Sequence, residues 1–365
     1  MKPSLWKLPM AIKTIASILG ARPQFIKAAP VSRALEGAFK EIVIHTGQHF
    51  DYDMSEIFFK EVSSRLPEFN LGISGGTHAQ QTGKMLIELE KTLSLIKPDV
   101  VLVYGDTNST LAGSLAAAKM TIPLAHIEAG LRSYNRQMPE EVNRVLTDHI
   151  SQQLFCPTEY AVQNLRKEGI ADHVHLVGDV MYDALIENLP LARKKSKILE
   201  SLGLARGTYS LLTIHRAANT GDSRTLDSIF RVLGELPIKV LFPVHPRTRN
   251  LIRDNQMIPA KNILFIDPVG HLDMLILEEN ANCVMTDSGG IQKEAYVLGV
   301  RCITLRTETE WVETVIAGWN RITGEDMGKI LEFHESWFPE SERPAYYGTG
   351  KAAELIRQIL IDEYQ

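Results

Sequence analysis

Alternation constrains this chain more than any other feature of its sequence. Eleven short runs rich in β-branched and aliphatic residues, at 14–19, 41–46, 99–105, 122–127, 153–156, 173–177, 209–214, 239–244, 262–266, 282–286 and 300–305, are separated by longer stretches with helical periodicity. Near-continuous apolar runs are what strands covered on both faces require, so the pattern predicts parallel sheets flanked by helices, an α/β protein. In the stretch 139–150, Val142, Val145, Leu146 and Ile150 fall on one helical face. Eleven strands exceed one comfortable sheet. A polar, helix-rich stretch near residue 185 interrupts the strand order and predicts a seam between two doubly wound, Rossmann-like domains, 10–185 and 186–349. The last stretch, 350–365, reads as an amphipathic helix with Ala353, Leu355, Ile356, Leu360 and Ile361 apolar.

Composition narrows the function classes. With 39 basic and 44 acidic residues the net charge is -5, which argues against nucleic acid as the main partner while allowing a local basic cluster around a phosphate. Cys156, Cys283 and Cys302 sit in apolar runs and cannot form a closed disulfide set, the usage expected of a cytosolic protein. No stretch approaches the ~18 consecutive apolar residues of a membrane span. The opening apolar run is interrupted by Lys13 and lacks a small-residue cleavage site, so no export signal is expected.

The segments just beyond the strands carry the informative pattern. The runs lead into GARPQ, TGQH, GDTNST, EAGLRS, HRAAN, HPRTR, DSGG and RTETEW. In open parallel sheets ligands bind beyond the carboxyl ends of the strands. Two such sheets facing each other would enclose an interdomain cleft lined by Arg22, Asp106, Glu128, His215, His245, Ser288, Arg306 and Glu310. Polar loops are ordinary in this fold; charged and imidazole groups at nearly every strand end are not.

TDSGGIQKEA (286–295) is the sharpest local signal. Ser288, Gly289 and Gly290 stand where a strand turns into a helix, and free N–H groups at such a start hold phosphate. Glu294 lies within reach of a ribose hydroxyl. Simple capping by Ser288 is the plain alternative. Arg22 and Lys27, at a second strand-turn-helix entry with Pro23 suited to the first helical position, could bring two cations to a diphosphate. Asp106, Glu128 and Glu140, the last one turn before Arg144, supply carboxylates able to move a proton at carbon. His126 lies on an apolar strand, as satisfied core histidines do, whereas His215 stands at a strand end. The sequence holds no GxGxxG, Walker, HExxH or CxxC grouping, so a nicotinamide cofactor and a resident metal are unsupported, and Ser-His-Asp hydrolysis is a weak reading.

Taken together, GARPQFIKAAPVSRAL, HTGQHFDYDMSEIFF, VYGDTNSTLAG, HIEAGLRS with PEEVNR, FCPTE, LVGDVMYD, TDSGGIQKEA, TEW and YYGTGKAAELI resemble the non-hydrolysing UDP-N-acetylglucosamine 2-epimerase family. The resemblance runs in order through nearly the whole chain after Met10. It implies two Rossmann-like domains of glycosyltransferase-B type, an active site in the cleft between them and a C-terminal helix that returns to the first domain. GARPQ, HPRTR and TEWVE are more similar to the UDP-2,3-diacetamido-2,3-dideoxy-glucuronate 2-epimerase branch, where the common enzyme has GTRPE, an Asn-containing segment and TERPE. Ala218 departs from the HRxEN pattern of both branches.

The resemblance implies inversion at C2 of a UDP-2-acetamido sugar by anti elimination of UDP and re-addition, without cofactor or metal, feeding surface polysaccharide (O antigen) synthesis. It implies Asp106, Glu128 and Glu140 for the proton and oxocarbenium work, and His215 for leaving-group departure. Arg22, Ser288, Gly289, Gly290 and Glu294 would hold UDP. Lys27, Arg144, His245 and Arg306 are expected beside the substrate, and Arg247 or Arg249 would meet a sugar carboxylate. Gln48 and His49 match part of the site through which UDP-GlcNAc activates bacterial members, and family habit implies a homodimer. UDP-GlcNAc is the second substrate reading. The rivals are a glycosyltransferase of the same fold and a UDP-sugar-binding regulator.

Overall fold

The computed structural model describes residues 12–48, 65–220 and 223–365. They divide into two compact units, Met1–Ala184 with Tyr347–Gln365, and Leu185–Tyr346.

The first unit runs β1 (Thr14–Leu19), α1 (Arg22–Leu35), β2 (Lys40–His45), β3 (Phe69–Asn70), α2 (His78–Ile96), β4 (Val100–Tyr104), α3 (Asn108–Lys119), β5 (Leu124–Ile127), α4 (Pro139–Ile150), β6 (Gln153–Cys156), α5 (Glu159–Lys167) and β7 (Val174–Leu176). Helix α6 (Val180–Lys195) carries the chain across the unit boundary. The strands form one parallel sheet in the order β3-β2-β1-β4-β5-β6-β7. All five residues of β4 are buried, as a central strand covered on both faces must be. Strand order reverses between β1 and β4, where Ile18 pairs with Ile44 on one side and Val103 on the other.

The second unit repeats the plan. After α7 (Ile198–Ser201) come β8 (Tyr209–Thr213), α8 (Ala217–Thr220), α9 (Ser223–Gly234), β9 (Lys239–Pro243), α10 (Pro246–Asp254), β10 (Ile263–Ile266), α11 (His271–Glu279), β11 (Val284–Thr286), α12 (Gly289–Leu298), β12 (Cys302–Thr304), α13 (Val312–Ile316), β13 (Asn320–Ile322) and α14 (Lys329–Ser336). Its six parallel strands are ordered β10-β9-β8-β11-β12-β13, with the reversal between β8 and β11. Both sheets are thus doubly wound, and in such sheets the crevice at the reversal point is where ligands bind.

All eleven expected strands are present. The two further ones, β3 (Phe69–Asn70) and β13 (Asn320–Ile322), lie at sheet edges and hold one apolar residue each, so they leave no apolar run to read. The terminal helix α15 (Ala352–Tyr364) belongs to the first unit, where Ala352, Ala353, Ile356 and Leu360 join α1 in one core cluster. Burial of Ile356 and Leu360 contributes about 1.5–3 kcal/mol each. Leu355, counted with that apolar face in the sequence, is instead half exposed.

Helix α4 is a larger correction. Its apolar periodicity predicts Val142 and Leu146 in the core, yet they are 42% and 45% exposed, while Glu141, Asn143, Arg144, Thr147 and Asp148 are buried. The helix turns its polar face inward because that face meets charged partners beyond the ends of β4 and β5.

Candidate active site

In the first unit the site grows from the carboxyl ends of β1, β4 and β5. Gln24, in the first turn of α1, accepts from the Gly20 and Ala21 N–H groups at 2.8 and 3.0 Å and donates to the Tyr104 carbonyl at 2.7 Å. One buried amide thereby ties the β1 turn to the end of β4. Gly105 comes next along the chain with φ +63°, the left-handed region that glycine enters without a Cβ penalty. A Cβ there would lie 3.1 Å from Glu128 Oε2 and 3.3 Å from Lys27 Nζ.

Asp106 is its neighbour, half-buried, with its carboxylate on the Arg144 guanidinium of α4. Arg144 also lies 3.4 Å from Glu141, the neighbour of Glu140. Asn143 donates to the Asp106 carbonyl at 2.9 Å. Glu140 is half-buried in the first turn of α4, where the helix dipole favours a carboxylate. Glu141 accepts from Ser133 and Tyr134 N–H at 2.8 and 2.9 Å and so holds the loop beyond Glu128.

Glu128 is 7% exposed and adopts φ +73°. A non-glycine residue held there stores roughly 1–3 kcal/mol of strain, a cost found where backbone is set for function. Its carboxylate is ion-paired with Lys27 of α1. Lys27, expected at a diphosphate, lies beside the Glu128 carboxylate. Arg22 is the first residue of α1 and half-buried.

Beneath these groups lies a buried network. His126 contacts Asp148 Oδ1 and the Gly105 carbonyl, each at 2.7 Å. Asp148 Oδ2 accepts from Gly130 N–H at 3.1 Å and from Arg132 at 2.6 Å, and Arg132 also pairs with Glu168 at 2.7 Å. Burial alone would raise the Asp148 carboxyl, but His126 and Arg132 outweigh it and hold it below the ordinary carboxylate range. His126, read from sequence as a satisfied core histidine, sits inside a charged network.

Gln48 anchors at the same sheet end, accepting from Ser109 N–H at 2.9 Å and Ser109 Oγ at 2.6 Å. His49 lies outside the described residues.

The second unit is organised differently. Asp287, fully buried, accepts from His215 and Arg216 N–H at 3.2 and 3.0 Å and from Asn219 Nδ2 at 3.0 Å. It also lies 3.7 Å from His215 Nε2. The His215 side chain is otherwise open to solvent. Asn219 donates to Asp287 at 3.0 Å and to the Leu305 carbonyl at 3.1 Å; the Ala218 side chain lies outside the described residues.

Ser288 occupies the N-cap position of α12, but its side chain makes no capping bond, so the plain capping reading fails and the hydroxyl is left for another use. A Cβ on Gly289 would fall 2.3 Å from Glu310 Oε1, so a side chain there would push that carboxylate aside. A Cβ on Gly290 would meet Ser288 Oγ alone, at 3.9 Å, so the backbone there stays open to a ligand. Glu294 is 8% exposed one turn further. Arg306, also buried, pairs with Glu310 at 2.9 Å. His245 and Arg249 are exposed, and Arg249 pairs with Asp267 at 2.9 Å and donates to the Ile266 carbonyl at 3.1 Å. The Arg247 side chain lies outside the described residues.

Sequence reasoning missed Asn143, Asp148 and Arg132, and gave Asp287 and Asn219 no structural role. The signal existed in α4: its polar residues 141, 143, 144, 147 and 148 share helical spacing as well as its apolar ones do. Among the described residues no three His, Cys, Asp or Glu side chains are grouped to hold a metal ion, and no helix is long and apolar enough to cross a membrane.

A family model described as UDP-N-acetylglucosamine 2-epimerase matches residues 33–361. A UDP-N-acetylglucosamine 2-epimerase homolog of Methanococcus maripaludis is 51% identical over 95% of this chain and 99% of its own length. The UDP-2,3-diacetamido-2,3-dideoxy-D-glucuronate 2-epimerase of Pseudomonas aeruginosa is 46% identical, again covering 95% and 99%. The crystal structure of Methanocaldococcus jannaschii UDP-GlcNAc 2-epimerase, in complex with UDP-GlcNAc and UDP, superposes with a TM-score of 0.89 at 44% identity, covering 95% of this chain and 99% of that one. With matches of this extent to two doubly wound units, the chain belongs to the UDP-N-acetylglucosamine 2-epimerase family and is an enzyme, a UDP-sugar 2-epimerase.

Proposed function

We propose that the enzyme inverts C2 of a UDP-2-acetamido sugar by anti elimination and re-addition of UDP, with UDP-2,3-diacetamido-2,3-dideoxy-glucuronate as its preferred substrate and the manno epimer as product. The observation that carries the chemistry is the placement of Asp106 and Glu128 at the ends of adjacent strands, each carboxylate matched to a cation, Arg144 and Lys27.

A C2 proton beside an acetamido group is not acidic, so its removal must be coupled to loss of the neighbouring substituent. One carboxylate among Asp106, Glu128 and Glu140 takes the proton. The C2–H electron pair becomes the C1=C2 bond, and the C1–O bond breaks toward the β-phosphate. UDP and a 2-acetamidoglycal are then held together, UDP adds back to C1, and a proton reaches C2 from the opposite face. Atoms and charge balance without a redox partner. The N–H groups at the start of α12, with Arg22 and the Ser288 hydroxyl, suit the departing diphosphate. Glu294 suits a ribose hydroxyl, and His215 lies at the strand end from which the leaving group would be assisted.

The uronate reading rests on the HPRTR segment at the head of α10 and on the similarity to the Pseudomonas aeruginosa enzyme. Since Arg249 is engaged by Asp267, Arg247 becomes the residue proposed to meet the sugar carboxylate. The second reading, UDP-GlcNAc, is favoured by the name of the Methanocaldococcus jannaschii neighbour. The deciding experiment incubates each UDP-sugar in deuterated water and tracks C2 by NMR, with Arg247→Ala alongside. Exchange and epimer formation are expected, and the variant should lose selectively on the uronate. Equal losses on both sugars would defeat the uronate assignment, and binding without exchange would defeat the epimerase reading.

The product would feed polysaccharide assembly. A homodimer is proposed through the exposed apolar face of α4 at Val142 and Leu146. Sedimentation of Leu146→Asp should show monomers, and an unchanged mass would remove that surface from consideration.

A further inference from the structure

We propose that His126 is a positioning residue, a buried imidazolium that fixes the backbone carrying both Asp106 and Glu128. The inference rests on the reaction proposed above. It starts from the partners of the ring. A backbone carbonyl can only accept, and an ionised carboxylate can only accept. His126 Nε2 faces the Gly105 carbonyl and Nδ1 faces Asp148 Oδ1, each at 2.7 Å. Asp148 is ionised here, held so by the buried guanidinium of Arg132 at 2.6 Å. Both ring nitrogens therefore carry protons.

Burial makes the assignment matter. His126 and Asp148 have fully buried side chains and that of Arg132 is nearly so, whereas Glu168, the outer partner of Arg132, is 26% exposed and lies 3.8 Å from His149. A carboxylate as deeply buried as Asp148 needs the donors that face it.

The geometry makes the network act on the site. Gly105 N–H bonds the Ile127 carbonyl at 2.9 Å while its carbonyl receives His126, so the peptides on both sides of Gly105 are clamped by consecutive residues of β5. Asp106 is the next residue. On the other side, Asp148 holds both His126 and Gly130, which bracket Glu128. A planar ring with two divergent N–H groups bridges a carbonyl and a carboxylate at once, which a hydroxyl, with one donor, cannot.

Two substitutions separate the contacts. In His126→Asn the amide nitrogen falls near the former Nδ1, keeping Asp148 and losing Gly105. In His126→Gln it reaches toward the former Nε2, keeping Gly105 and losing Asp148. The expected result is a kcat about 10²-fold lower for His126→Asn, the cost of a small misplacement of reacting groups, with KM and UDP affinity unchanged. His126→Gln should be the less stable protein yet retain the greater part of kcat. Equal kcat losses in the two variants, or wild-type kcat in His126→Asn, would overturn the proposal. Neutron diffraction on the unaltered enzyme reads the ring directly: deuterons on both nitrogens are expected, and a bare nitrogen refutes it whether or not either variant folds. Absence of C2 exchange in the wild type would instead sink the proposed reaction, leaving the neutron result to judge the ring.

Discussion

The two units share a strand order around their reversal points, yet the ends of their central strands are furnished in opposite ways. In the first, Asp106 and Glu128 are each matched to a buried cation. In the second, the helix start is bare backbone, and one buried carboxylate, Asp287, organises its surroundings by collecting N–H groups. Under the proposed reaction the difference would follow the tasks. Proton transfer at carbon needs groups that gain and lose a proton at fixed positions, whereas holding a diphosphate needs donors that never change charge.

The largest expected effect breaks the first unit alone. Asp106→Asn or Glu128→Gln should lower kcat by about 10²–10⁴-fold while UDP binding, measured by calorimetry, stays near the wild-type value. Weakened UDP binding of similar size would show that the two halves do not divide the work.

Next comes the support of the first unit. Lys27→Met removes the cation paired with the Glu128 carboxylate, whose side chain is 6% exposed, and removing one partner of a buried pair costs about 3–5 kcal/mol. Denaturant titration should register that loss. Removing the exposed Arg193, paired with Glu279, should cost no more than ~1 kcal/mol, and equal costs would contradict the burial argument.

A smaller effect is expected in the second unit. Gly289→Ala drives a methyl group against Glu310, so UDP affinity should fall by on the order of tenfold, about 1.4 kcal/mol, with kcat at saturation largely kept. A kcat defect at unchanged affinity would place α12 with the proton chemistry instead.

The smallest concerns pH. Burial lowers His334 from 6.5 to about 4, where its Nε2 contacts Ser210 at 2.8 Å. A base whose folded value is depressed binds more protons when unfolded, so its stabilisation is complete above pH 6.5 and is lost as pH falls toward 4. The second unit should therefore lose stability in that window, and His334→Gln should flatten the slope. In the first unit the sign reverses: burial raises the Glu41 carboxyl above 4.5 despite the Ser17 hydrogen bond. Stability from its neutral form is present below 4.5 and lost as pH rises through the raised value, so Glu41→Gln should stabilise the protein slightly at neutral pH. A destabilised Glu41→Gln would show that the ionised form is the one the core accommodates.

Much of this architecture is legible in the sequence. Strand runs of four or more residues announce themselves because a strand buried on both faces must be apolar throughout, and TDSGG or GDT at their ends marks the turns. Helix α4 shows where such reading stops. Its two faces, Val142 with Leu146 and Glu141 with Arg144, carry equally regular spacing, and hydrophobicity alone selects the wrong one.

Residue type and order by themselves determined the doubly wound plan, the placement of charged groups at strand ends and the absence of a dinucleotide or Walker fingerprint, because these depend on local periodicity and on motifs contiguous in the chain. Only the tertiary structure decided who pairs with whom: Lys27 with Glu128 across 101 positions, Asp106 with Arg144 across 38, His215 backbone with Asp287 across 72. Such pairings are set by which strand ends lie side by side after the sheet has wound, and the energy of a buried charge depends on the partner brought to it rather than on its neighbours in sequence.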